Sequence, residues 1–374
     1  MDALIDVPAG LNNVAVADTE IGSVDGDAGF YHYRQYDAVG LARTRSLEDV
    51  WCLLDTGALP DAGAPAFAVD RTVPAELDGL IAAVAATSAA PLAQLRTVLS
   101  AAAPALELVP MLDLTDAERR LQARRLAAVV PGILARLYRR AHGLPVVTAD
   151  VAAGHAAAYL HAVTGAAPSA AHARALEQYL ILTVDHGFNA STFTGRVVAS
   201  TGADLADVVC SAIGALAGPL HGGAPSRALD ALDVIGTPDR AADWVRGEID
   251  AGRRIMGFGH AVYRAPDPRS ALLRDVAEAL GGPLVERAIA IETEILTTLA
   301  ELKPDRPLPS NVEFYAGVIM ATVGLPREMF TPTFAVSRVI GWVTHAVEQA
   351  AAAKLIRPSA HYVGPTPERP LVTA

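Results

Sequence analysis

The chain has few cysteines, few basic residues and no long apolar runs, and each shortage narrows what it can be. Cys52 and Cys210 are the only cysteines; two are too few for a disulfide framework, and they lack metal-ligand spacing. Basic residues number 30 against 41 acidic ones, so 30 − 41 gives a net charge of −11. Such a chain offers no general attraction to nucleic acid or to an anionic membrane. A small anionic ligand would have to be held by local clusters of Arg or His. The Ala-rich stretches are interrupted by Pro, Asp, Arg or Gln before they reach membrane-spanning length. The opening MDALIDVPAGLNN has no basic segment followed by an apolar one, so no secretory signal is expected, and a reducing cytoplasm is the expected location. What the chain does have is apolar material: 52% of its 374 residues are hydrophobic, enough for a large core and for about two domains.

Short alternating segments fill the first forty or so positions. Val14 to Thr19 and Gly29 to Tyr33 read as strands, joined by a turn at Asp25-Gly26-Asp27. Beyond them the pattern turns helical and strand signals are sparse, so the fold class is mainly α. Ser46-Leu47-Glu48-Asp49 and Thr115-Asp116-Ala117-Glu118 resemble helix starts, the second being a capping box. Leu205, Val208, Val209, Ala212, Ile213 and Leu216 recur at helical spacing, and Gly218-Pro219 ends that helix. Val336, Val339, Ile340, Val343 and Val347 form a second such stripe, which leaves Arg338 and His345 on another face.

Three segments place a histidine beside glycines where the helical period breaks. They are Asp185-His186-Gly187-Phe188-Asn189, Gly218-Pro219-Leu220-His221-Gly222-Gly223 and Gly257-Phe258-Gly259-His260. Glycine lets backbone approach a ligand, and loops on a rigid scaffold commonly carry chemistry. A single histidine is more often a structural residue, and His155, His161 and His345 are read that way. No zinc-type spacing and no HExxH motif occurs, so no metal is expected. Gly257-Phe258-Gly259 lacks the third glycine and the preceding strand of a dinucleotide fingerprint, and the GxSxG elbow of serine hydrolases is missing. Acid–base and electrostatic work on a small anion remains. Imidazole can donate to a carbonyl, and Arg264, Arg269 and Arg338 supply forks suited to carboxylates.

The same segments carry a family resemblance. DHGFNASTF (185–193), GPLHGGA (218–224), GFGHAVYR (257–264) and Asn311-Val312-Glu313-Phe314-Tyr315-Ala316-Gly317 are similar, in order, to the signature segments of citrate synthases. Arg357-Pro358-Ser359-Ala360-His361-Tyr362-Val363-Gly364 resembles the family's C-terminal segment. Gly10 to Tyr36 resembles its early hairpin, with Arg34-Gln35-Tyr36 departing from the usual Arg-Gly-Tyr. The likeness covers nearly the whole chain. It implies a two-domain, almost all-helical fold with a short N-terminal hairpin. Residues 1–220 and 321–374 would form a large domain, and 221–320 a small domain that closes over the substrates. Closure would exclude water and strengthen electrostatic contacts.

By that resemblance the reaction joins the methyl carbon of an acyl-CoA to the keto group of a 2-oxo acid, with acetyl-CoA and oxaloacetate as substrates and no cofactor. Removing a thioester methyl proton requires a base and simultaneous stabilisation of the enolate oxygen. The resemblance makes Glu313 the base, where most family members carry Asp, and His221 the donor to the thioester oxygen. His260 would polarise the keto group. His186, Arg269 and Arg338 would hold the 2-oxo acid, with Arg357 contributed across a homodimer interface. Ile255, Met256, Gly257, Phe258, Gly259 and Arg264 match positions that cradle CoA, and Lys303 is a further phosphate contact. The start close to the hairpin leads to the expectation of a simple dimer. Two alternatives stay open. One is 2-methylcitrate synthase acting on propionyl-CoA, since one methylene is worth only about 1–3 kcal/mol. The other is a non-catalytic metabolite-binding paralogue, suggested by Glu313 and by the altered Gly223-Ala224-Pro225-Ser226 stretch.

Overall fold

The N-terminal hairpin forms because Asp25 closes a tight turn. Its Oδ1 accepts the N–H groups of Asp27 (3.1 Å) and Ala28 (2.9 Å). Strand β1 (Gly22–Asp25) runs antiparallel to β2 (Phe30–Tyr33), with Gly22 opposite Tyr33 and Asp25 opposite Phe30; β3 (Tyr36–Asp37) extends the sheet. The second expected strand is therefore present. The first is not: Val14 to Thr19 is irregular, and Gly22–Asp25 pairs in its place. Alternation alone does not make a strand without a partner; in this stretch the Asp18 carbonyl instead accepts from Arg196.

The structure is a computed structural model that describes residues 4–61, 67–148, 150, 153–218, 221, 224–260 and 262–365, with residues 224 and 225 as backbone only. The helices it describes are α1 (Ala38–Thr44), α2 (Leu47–Thr56), α3 (Asp78–Ala85), α4 (Pro91–Ser100), α5 (Asp116–Ala141), α6 (His155–Thr164), α7 (Ala170–Thr183) and α8 (Ala190–Ala199). They continue with α9 (Leu205–Leu216), α10 (Ala224–Ile235), α11 (Ala241–Asp250), α12 (Pro268–Leu280), α13 (Pro283–Leu302), α14 (Val312–Thr322) and α15 (Phe330–Ala352). The fold is all-helical apart from the small sheet. Both expected helix starts are capping boxes: Ser46 with Asp49 opens α2, and Thr115 with Glu118 opens α5. Asp204 caps α9 through the N–H groups of Ala206 and Asp207. Pro219, which was expected to stop α9, lies outside the described residues; the helix already ends at Leu216. No helix among the described residues is long and apolar enough to cross a membrane.

Helix α15 is the axis of the core, packing on α5, α7, α8 and α9. The sequence pattern gave it one apolar stripe, whereas nearly every side chain from Phe330 to Val347 is buried, Arg338 and His345 included. A helix buried on all sides must satisfy its polar groups internally. Its close approach to the end of α7 depends on Gly341, where a Cβ would stand 2.2 Å from the carbonyl oxygen of Val184. That contact sets Arg338 beside the α7–α8 turn. Helices α10 to α14 pack chiefly on one another, with α12 and α14 also touching α7, α12 touching α1 and α10 touching α15.

Candidate active site

The turn from α7 to α8 carries His186. Asp185, buried, accepts the Gly187 N–H at Oδ2 (3.3 Å), and its carbonyl accepts from the Tyr33 hydroxyl (3.1 Å). Burial alone would raise the Asp185 carboxyl, but His345, Arg338 and a backbone N–H bring it below the usual range. Asn189 then caps α8, its Oδ1 accepting the N–H groups of Ser191 and Thr192 (both 3.1 Å). The His186 ring sits 5.8 Å from that of His260, and its Nε2 is 2.9 Å from the Tyr263 hydroxyl. Burial, reinforced by Arg269 and Arg338, pushes its pKa well down, so the ring is neutral.

His221 meets the same turn from the other side. Its Nε2 lies 2.9 Å from Ser191 Oγ, which also accepts from the indole N–H of Trp342 (3.2 Å) and lies 2.7 Å from Asn189 Oδ1. Burial and then Arg338 lower its pKa to about 4. Pro219, Leu220, Gly222 and Gly223 of its motif lie outside the described residues.

The third segment is held by backbone. Gly259 N–H donates to the Pro309 carbonyl (2.8 Å), Asn311 N–H to Gly257 (2.8 Å), and Asn311 Nδ2 to the Gly259 carbonyl (2.8 Å). In this clamp Gly259 has φ +75°, a left-handed conformation that a side chain would strain, and a Cβ there would also press on the tip of the Leu308 side chain at 2.8 Å. The clamp fixes His260 relative to Glu313, the second residue of α14. Asp267 completes it: Oδ1 accepts the N–H (3.0 Å) and Nε–H (2.9 Å) of Arg269, and Oδ2 accepts its Nη2–H (2.8 Å) and the Val312 N–H (3.1 Å). One buried carboxylate thus caps α12, orients Arg269 and ties down the start of α14.

His260 Nδ1 accepts the N–H groups of Val262 (3.0 Å) and Tyr263 (3.2 Å). Burial, then Arg269, depresses its pKa to about 4. A neutral ring with Nδ1 accepting carries its proton on Nε2. That Nε2 faces Arg269 Nη2 at 3.2 Å. Two N–H groups therefore converge, and a carbonyl or carboxylate oxygen lodged between them would accept from both. Arg338 donates Nε–H to the Thr183 carbonyl (2.9 Å); among the described residues neither Nη has a hydrogen-bond partner, as suits a carboxylate ligand. The Glu313 carboxyl is pushed up to about 7, mainly by burial, with Arg269 opposing and Asp267 adding to the rise. A carboxylate poised there can exchange a proton near neutrality.

His186, His221, His260, Arg269, Glu313 and Arg338 thus share one site. Ile255, Gly257 and Phe258 are buried and Met256 and Gly259 half-buried in the clamp loop, while Lys303 is exposed at the end of α13. Arg264 is exposed, 3.2 Å from Asp27 of the hairpin turn. Arg357 is exposed on the extended segment after α15 and touches none of the site groups in this single chain. Asp267, Tyr263, Ser191 and Trp342 were not singled out as site residues. Ser191 and Tyr263 lie inside the motifs 185–193 and 257–264, and Asp267 stands two positions before Arg269 in an Asp-Pro-Arg helix start; Trp342 carried no such signal. His155 is structural as read: it packs edge-on against Trp51. No group of side chains among the described residues could hold a metal ion.

Comparison with known proteins places this geometry. Residues 10–359 match the family profile described as citrate synthase, C-terminal domain. Citrate synthase of Haloferax volcanii is 38% identical over 371 residues, covering 96% of each chain. 2-Methylcitrate synthase of Shewanella oneidensis is 34% identical over 377 residues, with the same coverage. The Thermoplasma acidophilum citrate synthase, solved as a ternary complex with carboxymethyl coenzyme A and oxaloacetate, superposes with a TM-score of 0.88 at 27% identity, covering 97% of this chain and 98% of that one. This chain belongs to the citrate synthase family and is an acyltransferase of the citrate synthase type.

Proposed function

We propose that the enzyme condenses acetyl-CoA with oxaloacetate and water to give citrate and CoA. The observation that carries this reading is the convergence of His260 Nε2–H and Arg269 Nη2–H beside a half-buried Glu313 raised to about 7. The keto oxygen of oxaloacetate accepts from both donors, and its carboxylates lie on His186, Arg269 and Arg338. Glu313 takes a proton from the acetyl methyl group. His221 donates to the thioester oxygen as the enolate forms. The new carbon–carbon bond turns the keto oxygen into an alkoxide, held by His260 and Arg269 and protonated there to the hydroxyl; water then adds at the thioester carbonyl, and the C–S bond breaks to release CoA. The Thermoplasma citrate synthase, which binds oxaloacetate and carboxymethyl coenzyme A, supports the substrate pair.

In the same reading Ile255 to Gly259, Arg264 and Lys303 contact CoA. Residues 221–320 act as a small domain that closes on the body formed by 1–220 and 321–374. The active unit is a homodimer, whose second subunit brings its copy of Arg357 to the site. A second reading, propionyl-CoA as the preferred acyl donor, draws on the likeness to 2-methylcitrate synthase. Thiol release in the presence of oxaloacetate, run in parallel with acetyl-CoA and propionyl-CoA, decides between them. A higher kcat/KM with acetyl-CoA is expected; a higher value with propionyl-CoA selects the second reading, and release with neither overturns both.

A further inference from the structure

Behind the substrate groups lies a buried polar chain that the reaction does not use. Arg196, His345 and Asp185 are 1%, 2% and 1% exposed. Arg196 gives Nε–H to Gln349 (3.0 Å), Nη1–H to Glu348 (2.5 Å) and Nη2–H to the Asp18 carbonyl (3.3 Å). Its Nη1 is also 3.0 Å from His345 Nδ1, and His345 Nε2 is 3.2 Å from Asp185 Oδ1. Because arginine only donates, His345 Nδ1 accepts, and its Nε2–H donates to Asp185. The guanidinium of Arg196 also lies over the Phe188 ring, 5.2 Å from its centre. The turn 185–188 is therefore gripped twice: at Asp185 by a hydrogen bond and at Phe188 by a cation over its face.

Burying an arginine this deeply is not an economical way to gain stability, since apolar residues of equal volume do as well or better. What the chain does gain is position. Asp185 holds the Gly187 N–H and so fixes the direction in which His186 leaves the backbone; farther along the same stretch Ser191 meets His221. We infer that Arg196 and His345 are positioning residues, which act through Asp185 to hold His186 against the 2-oxo acid. The inference rests on the assignment of His186 to that substrate.

The test uses the full-length enzyme and separates the two ring nitrogens. Asparagine at 345 places a polar atom where Nδ1 stands and loses the donor to Asp185; glutamine places an amide N–H where Nε2 stands. His345→Asn is expected to raise the KM for oxaloacetate about tenfold, the loss of one hydrogen bond to a buried carboxylate, with the KM for acetyl-CoA unchanged. His345→Gln should recover most of that loss. Equal oxaloacetate KM in wild type and His345→Asn overturns the inference, as does a rise in both KM values that glutamine does not relieve. If His345→Asn does not fold, Arg196→Lys carries the test by the same selective rise or its absence. Oxaloacetate affinity is measured by calorimetry in parallel. A wild type that binds oxaloacetate without releasing thiol fails the condensation reading alone, and the variants' affinities then decide the inference. A wild type that binds none removes its basis.

Discussion

Replacing Asp267 by Asn probes the linchpin of the site. The carboxylate accepts four hydrogen bonds, two at each oxygen. Asparagine has one oxygen, so in either orientation its amide N–H₂ faces two donors that lose their acceptor, Arg269 Nη2 and Val312 N–H being the pair at Oδ2. Arg269 stays buried and charged without its partner. Breaking such a pair from one side costs about 3–5 kcal/mol. The carboxyl of Asp267 lies below its ordinary 3.8, because Arg269 outweighs the opposing effect of burial. Its contribution to stability is therefore complete above about pH 4 and fades as pH falls through the folded-state value. Denaturant unfolding at neutral pH should show the loss, and the gap between wild type and Asp267→Asn should narrow in acid. Steady-state thiol release should show a fall in kcat/KM for oxaloacetate of about a hundredfold, as expected for a displaced guanidinium. Loss of Asp267's negative charge also removes one cause of the raised Glu313 pKa, so the acid limb of the rate profile should move to lower pH. A variant less than about 1 kcal/mol weaker than wild type, with unchanged oxaloacetate kinetics, would refute the assignment of Asp267 as anchor.

Other expectations follow from the same geometry. The kcat/KM of the wild type should rise with pH on a one-proton limb centred near 7, because Glu313 must be ionised; His221 and His260, lowered to about 4, add no limb there. A profile flat between about pH 5 and pH 8 would contradict this. Glu313→Asp draws the carboxylate back by about 1.5 Å and should lower kcat about a hundredfold, read by thiol release at saturating substrates; full activity would show that the start of α14 adapts to either length. Ser191→Ala leaves His221 and the Trp342 indole without their shared partner, and should reduce kcat at least tenfold with little change in the KM for oxaloacetate.

Much of the architecture was legible because it rests on local chemistry. Helical spacing and capping residues predicted α2, α5 and α9, and the Asp25 turn marked the hairpin. Val14 to Thr19 misled because an alternating pattern says nothing about a pairing partner. The α15 stripe was legible as a helix, but not the burial of its other face, where Arg338 and His345 lie against carbonyl and carboxylate groups contributed by residues far along the chain. The glycine-flanked histidines were visible as a set through their motifs. The particular roles of Ser191, Tyr263, Asp267 and Arg196 were not, because each depends on a partner that only the fold brings close: His221 and Trp342 for Ser191, His186 for Tyr263, Val312 for Asp267, and His345 and Gln349 for Arg196.

Everything in the proposed chemistry passes through one carboxylate. Glu313→Gln keeps the shape of the side chain and removes the base. The account predicts that thiol release from acetyl-CoA and oxaloacetate disappears in this variant while oxaloacetate still binds with near wild-type affinity by calorimetry. Turnover at an undiminished rate would contradict it.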